Sequence, residues 1–204
     1  MGSIKAKLKS GKYLNIDFSP GDIVIDCGAN VGEISAPFAY AGAVVLAYEP
    51  NPYAFRELED RFRHYKNVRC LNAAVSHRSG KGTLFYHELA EKDPLKYSTG
   101  SSLVAEKKNV NVENYIEVEL IDLPSVIRNI PSIFGKSVHV LKIDIEGAEC
   151  ELVEKLMDLE LLRDIPYVLV ETHEEKIASL VQPTEKMKKR AGELGLTNIN
   201  FNWI

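Results

Sequence analysis

A doubly wound α/β fold with a mostly parallel sheet is what this sequence predicts, and three observations carry it. Short runs that are largely apolar, Ile23 to Cys27, Val44 to Tyr48 and Val68 to Ala74, have the length and character of strands buried on both faces. Between them, apolar residues recur at helical spacing, so strand, helix, strand, helix and strand are completed within about fifty residues. That is the alternation of parallel strands joined by right-handed crossovers. It resumes after Leu123 and continues to the end of the sequence.

Taken in order, Ser19-Pro20-Gly21-Asp22 is a turn ahead of the first run, which stops at Gly28. Ile34, Phe38 and Ala41 then keep helical spacing. Glu49-Pro50-Asn51-Pro52 ends the second run, and Tyr53 to Tyr65 is a charged amphipathic helix with Phe55, Leu58 and Phe62 on one face. After the third run, Gly82 to Glu88 and Tyr115 to Leu120 alternate apolar with polar. They read as strands of a small antiparallel insertion, placed within residues 75–122. The polar stretch KDPLKYSTGSSLVAEKKNVNVEN between them is either a mobile loop or a lid. A helix from Leu123 or Pro124, a strand Val138 to Ile145 and a helix from about Ala148 to Asp158 follow. A strand Tyr167 to Thr172, a helix Pro183 to Gly192 and a last strand Ile199 to Trp203 complete the pattern. Residues 1–204 read as one domain, with 1–21 an N-terminal arm and turn.

The formal charge of −4 gives no general attraction to phosphate backbones or anionic lipid, so neither nucleic acid nor membrane is expected as a partner. Lys5, Lys7, Lys9 and Lys12 read as a solvated basic arm. Cys27, Cys70 and Cys150 are odd in number and lack metal-ligand spacing, as reduced intracellular thiols packed among apolar residues would be. No apolar stretch near the start is long enough for a signal peptide or membrane span, and a cytoplasmic location is expected.

The stretch VIDCGANVGEISAPFA, Val24 to Ala39, sets Asp26 at the end of a buried strand and follows it with Gly28 and Gly32. Such a bend lets backbone pass close beneath a ligand while helix N-terminal amides face it, although many strand-to-helix turns carry glycines for steric reasons alone. Glu49, ending the second strand, is placed to accept both ribose hydroxyls of an adenosine. Dinucleotide sites prefer a glycine two residues after the first, where this sequence has Asn30. The bend therefore suits a nucleoside with an amino-acid tail, whose ammonium Asp26 could attract, and S-adenosylmethionine has both parts.

Together DCGANVGEISAPFA, YEPNP, LNAAVS, GSSL, LKIDIEGAE and the ETH of the fifth strand resemble the FkbM-type methyltransferases, over roughly Asp22 to His173. The resemblance implies a Rossmann-like, class I S-adenosylmethionine-dependent fold. It also implies O-methyl transfer, commonly to sugar or polyketide-type hydroxyls. By it Asp26, Gly28, Asn30 and Gly32 form the cofactor loop, Glu49 with Asn51 holds the ribose, and Asn72, Ala73 and Ala74 border the adenine. Ser101 and Ser102 become ligand contacts. Only about thirty residues follow the fifth strand, so the antiparallel hairpin that usually closes such a sheet is expected to be shortened, leaving an edge for a homodimer.

Lys142, Asp144 and Glu146 alternate at the end of the fourth strand, and Glu171 and His173 end the fifth beside it. One reading is a Lys142–Asp144 ion pair with Glu146 and Glu149 favouring the next helix start. The other makes these residues catalytic: Asp144 beside the methyl group, Glu146 at the acceptor, and His173 as the base that takes the hydroxyl proton. No metal is expected. The function expected is O-methylation of a small molecule or glycan. An RNA methyltransferase and a non-catalytic S-adenosylmethionine-binding module are the alternatives. A nicotinamide-dependent oxidoreductase is disfavoured by Asn30.

Overall fold

A computed structural model describes the backbone of residues 2–7 and 13–201, with side chains from 15 to 201. The chain opens with β1 (Gly2–Lys7) and β2 (Tyr13–Phe18), an antiparallel pair. There follow β3 (Ile23–Cys27), α1 (Ser35–Tyr40), β4 (Val44–Tyr48), α2 (Pro52–Phe62) and β5 (Val68–Leu71). Next come β6 (Ala74–Ser76), β7 (Gly80–His87) and β8 (Val110–Asp122). The remainder is α3 (Leu123–Phe134), β9 (Val138–Ile143), α4 (Glu149–Asp158), β10 (Tyr167–Val170), α5 (Val181–Glu193) and β11 (Ile199–Asn200).

Six strands form the main sheet in the order β11-β10-β9-β3-β4-β5, with every neighbouring pair parallel. The chain builds outward from β3 to β5, then returns to place β9 on the other side of β3. The crevice beyond the carboxyl ends of β3 and β9 is therefore the topological switch point. Strand side chains alternate between two cores. Ile23, Ile25, Leu141, Ile143, Val168 and Val170 pack against α3, α4 and α5. Val24, Val45, Ala47, Val140 and Leu169 pack against α1, α2 and the buried Ile16 and Phe18 of β2.

The structure differs from the sequence reading at several element ends, each for a local reason. The predicted arm ends in a strand whose Ile16 and Phe18 are core residues, so it is partly structural; the side chains of Lys5, Lys7, Lys9 and Lys12 lie outside the described residues. The run Val68 to Ala74 is two strands, because at Asn72 the chain leaves the main sheet and its side-chain amide donates to the Glu49 and Pro50 carbonyls. β6 then pairs parallel with β8, and β7 pairs antiparallel with β8, so the insertion is a mixed three-stranded sheet. β9 stops at Ile143 rather than Ile145, since the Glu149 carboxylate accepts the Ile145 and Gly147 amides and turns the chain there. β10 ends at Val170, leaving Glu171 and His173 on the loop beyond it. Of the predicted strand Ile199 to Trp203, residues 199–200 are strand, and 202–204 lie outside the described residues.

Candidate active site

The floor of the crevice is tied together by a buried lysine. Lys142 Nζ donates to the Gly28 carbonyl at 2.5 Å and the Cys27 carbonyl at 3.3 Å, and pairs with Asp26 at 3.1 Å and Asp144 at 3.4 Å. Burial alone would push this ammonium down, but Asp26 and then Asp144 outweigh it and hold the lysine above its ordinary value. Gly28 has φ +78°, and a Cβ there would lie 1.8 Å from the Asp144 carbonyl oxygen, so glycine is required where β3 meets the end of β9.

Two sequence assignments change here. Asp26 is buried between Lys142 and the Ser35 hydroxyl, which donates to it at 2.7 Å, and it does not line the crevice. Gly32, with φ +82°, likewise lies outside the lining. A Cβ there would meet Phe62 at 2.6 Å and Leu58 at 2.8 Å, so this glycine admits α2 rather than a ligand.

Glu49 lines the crevice beyond β4, and each carboxylate oxygen accepts one backbone amide at 2.8 Å, from Asn30 and from Asn51. Burial pushes its pKa up to about 7, with the Asn51 and Asn30 amides pulling it part of the way back. Asn30 adopts φ +49°, the left-handed conformation that asparagine tolerates. The side chains of the same two asparagines reach the covering loop: Asn30 donates to the Ser98 hydroxyl at 2.9 Å and Asn51 to the Ser101 hydroxyl at 3.0 Å. Asn51 also caps α2 through Tyr53 N and Ala54 N. Asn51 and Asn72 thus shape the Glu49 wall without lining the crevice, whereas Ala73 and Ala74 line it.

The roof is the stretch read as a loop or lid, and it is docked. Ser98, Thr99, Ser101, Ser102 and Leu103 line the crevice. Ser102 exchanges both backbone bonds with Phe85 of β7, and its hydroxyl donates to the Glu146 carbonyl at 2.6 Å. Lys107, buried, donates to the Gly100 carbonyl at 2.8 Å and to Glu146 Oε2 at 2.6 Å. Lys107 and Ser98 had no recognisable signal in a polar, turn-rich stretch.

At the far end Asp144 and Glu146 line the crevice, with His173 and Glu171 behind them. His173 is 2% exposed. Its Nδ1 lies 2.9 Å from Glu149 Oε1, and its Nε2 faces Glu146 at 3.2 Å, Glu171 at 3.5 Å and Asp144 at 3.7 Å. Burial pushes the ring down, but the Glu149 bond and charge, with Glu146 and Asp144, outweigh it and raise its pKa. His173 therefore contributes no crevice surface from which to take an acceptor proton directly, and Lys142 and Glu171 also lie outside the lining. Glu149, read from sequence only as a favourable helix-start charge, is the residue that fixes the imidazole.

The family model described as Methyltransferase FkbM domain matches residues 26–189. The 31-O-demethyl-FK506 methyltransferase FkbM of Streptomyces tacrolimicus is 29% identical over 185 residues, covering 78% of this chain and 68% of that protein. Methyltransferase sdnD of Sordaria araneosa is 30% identical over 183 residues, covering 74% and 66% respectively. The chain thus spans about two thirds of the length of these relatives. A solved structure described as P. horikoshii TYW2 in complex with MeSAdo shares 16% identity over 49% of this chain and 60% of that chain, with a TM-score of 0.25.

Proposed function

The chain belongs to the FkbM methyltransferase family, and from that premise we propose that it is an S-adenosylmethionine-dependent O-methyltransferase acting on a hydroxyl of a small molecule or glycan. The observation that carries the donor is Glu49. A carboxylate at the end of the strand beside β3, oriented by two amides and with acceptor capacity left over, suits the two ribose hydroxyls. Ala73, Ala74, Val75, Leu84 and Leu103 give an apolar slot of the kind an adenine ring fills. The donor methyl then points toward Asp144 and Glu146. Methyl transfer is an in-line displacement, so aligning the acceptor oxygen behind the methyl carbon supplies much of the acceleration. In this arrangement the two carboxylates meet the acceptor hydroxyl, and His173 and Glu171 act through them as positioning residues. An oxygen acceptor is favoured by the Streptomyces relative, whose name specifies a 31-O-demethyl substrate.

Calorimetry with S-adenosylhomocysteine and with NAD tests the donor, with binding expected for the first alone. Incubation with methyl-labelled S-adenosylmethionine and a fractionated cell extract, its RNA, glycan and small-molecule fractions kept apart, tests the acceptor class. Label appearing only in RNA would overturn the small-molecule assignment. Donor binding without transfer to any fraction would favour a binding module.

A further inference from the structure

The histidine at the far end of the crevice is held in an unusual way for a solely structural residue. Glu149 Oε1 already accepts the Ile145 and Gly147 amides, so toward the ring it is an acceptor too, and Nδ1 carries the proton. The opposite nitrogen, Nε2, is buried and has no hydrogen-bond partner among the described residues. It points at oxygens of Glu146, Glu171 and Asp144, all within 3.7 Å. With Nδ1 as the donor to Glu149, Nε2 brings the carboxylates either a second proton, which their charge favours, or a lone pair that repels them unless another cation lies between, and a metal ion takes the place of that proton.

We propose that Asp144, Glu146 and His173 bind one divalent first-row metal ion, with open coordination positions facing the crevice. One ligand atom from each lies within 4.8 Å of the others. Bonds of about 2.1 Å place neighbouring ligands about 3.0 Å apart and opposite ones about 4.2 Å. The spacings of 3.2 Å from Nε2 to Glu146 and 3.7 Å to Asp144 fall between those limits. The Glu149–Nδ1 contact is the outer bond that orients a metal-bound imidazole and fixes its tautomer. Charge agrees: Asp144, Glu146, Glu149 and Glu171 gather around His173, opposed by the buried cations Lys107 and Lys142 and by the more exposed Lys176, 3.9 Å from Glu146. Lys107 pairs with Glu146 Oε2, the oxygen that also lies 3.2 Å from Nε2, so an ion here shares that oxygen with the lysine or takes the other oxygen of the same carboxylate. An imidazole beside two carboxylates favours a first-row ion over calcium.

Asp144 and Glu146 line the crevice while His173 lies behind them, so the ion sits where an acceptor hydroxyl can become a further ligand. This last part rests on the methyltransferase reading. The ligated hydroxyl is more acidic. Its oxygen bonds the methyl carbon as the carbon–sulfur bond breaks with its electron pair to sulfur, and the hydroxyl proton passes to water.

The test titrates chelator-treated protein with Mn²⁺ and follows free ion by electron paramagnetic resonance. One Mn²⁺ per chain is expected, with affinity lowered about tenfold or more in Asp144→Asn, His173→Gln and the orienting variant Glu149→Gln. Thermal melts confirm the fold of each variant, and the near-isosteric Asp144→Asn serves if His173→Gln does not fold. No Mn²⁺ uptake by wild type, or uptake unchanged in the folded variants, overturns the site. Calorimetry with S-adenosylhomocysteine runs alongside. Nucleoside binding without Mn²⁺ uptake removes the metal site alone, and Mn²⁺ uptake without nucleoside binding removes the methyltransferase reading alone.

Discussion

Lys142 Nζ lies 2.5 Å from the carbonyl oxygen of Gly28, so a charge carried on β9 holds the bend that follows β3. The same ammonium neutralises Asp26 and Asp144 in a nearly dry setting. Replacing it with an apolar residue of similar length leaves two buried carboxylates without the lysine charge that both pair with. Lys142→Met should therefore lower unfolding free energy by about 3 kcal/mol, and Asp26→Asn in the same chain should restore part of the loss. Urea titrations of the wild type, both single variants and the double variant measure this coupling. Additive losses would show that the bridge is not what joins the strands.

Glu49 gives a pH dependence whose sign is fixed by its raised pKa. The folded carboxyl holds its proton up to about 7, against an ordinary value of 4.5, so the folded state binds more protons between those limits. Its contribution to stability is fully present below 4.5 and is lost as pH rises through about 7, by roughly 3 kcal/mol. Glu49→Gln lacks this titration. The wild-type-minus-variant stability of ligand-free protein should fall as pH rises from 5 to 8, and a flat difference would contradict the burial argument. Nucleoside affinity should move the opposite way, strengthening with pH as the carboxylate ionises, and Glu49→Gln should weaken it about tenfold or more at pH 8.

Much of this arrangement was legible in the sequence because burial and periodicity write themselves into composition. The apolar runs at Ile23, Val44 and Val138 gave the strands, and Gly28, Glu49 and Asp144 were found at strand ends, where a doubly wound sheet opens its crevice. What could not be read was direction. Asp26 and Gly32 sit in the same motif as Gly28, yet one is turned toward Lys142 and the other toward Phe62. Lys107 was invisible for another reason. Its partners Gly100 and Glu146 are one short and one long step away in sequence, and only the docking of the roof brings the three together.

Gly32 separates a packing role from a binding role. Its φ of +82° and the 2.6 Å approach to Phe62 mean that any side chain strains the turn and pushes α2 away. Gly32→Ala should therefore cost stability, on the order of 1–3 kcal/mol, while the folded fraction still binds S-adenosylhomocysteine within a few-fold of wild type. Calorimetry well below the variant's melting temperature makes the comparison. A large loss of affinity in fully folded Gly32→Ala would return this residue to the ligand.

Lys107 fixes the roof at two points, the Gly100 carbonyl and Glu146, from a side chain with no solvent exposure. Hydrogen bonds to a charged group contribute about 1.5–3 kcal/mol each, more than most contacts a surface loop makes. Removing both should let residues 98–107 open locally while the six-stranded sheet stays closed, because the other ties described, Asn30 to Ser98, Asn51 to Ser101 and Ser102 to Phe85 and to the Glu146 carbonyl, are neutral and individually weaker. Lys107→Met keeps the buried volume and deletes the charge. Amide hydrogen exchange followed by mass spectrometry should then be at least about tenfold faster across 98–107, and unchanged in β3 and β9. Exchange that accelerates everywhere would mean that Lys107 supports the whole fold. Exchange that accelerates nowhere would mean that the neutral bonds of Asn30, Asn51 and Ser102 hold the cover without the lysine.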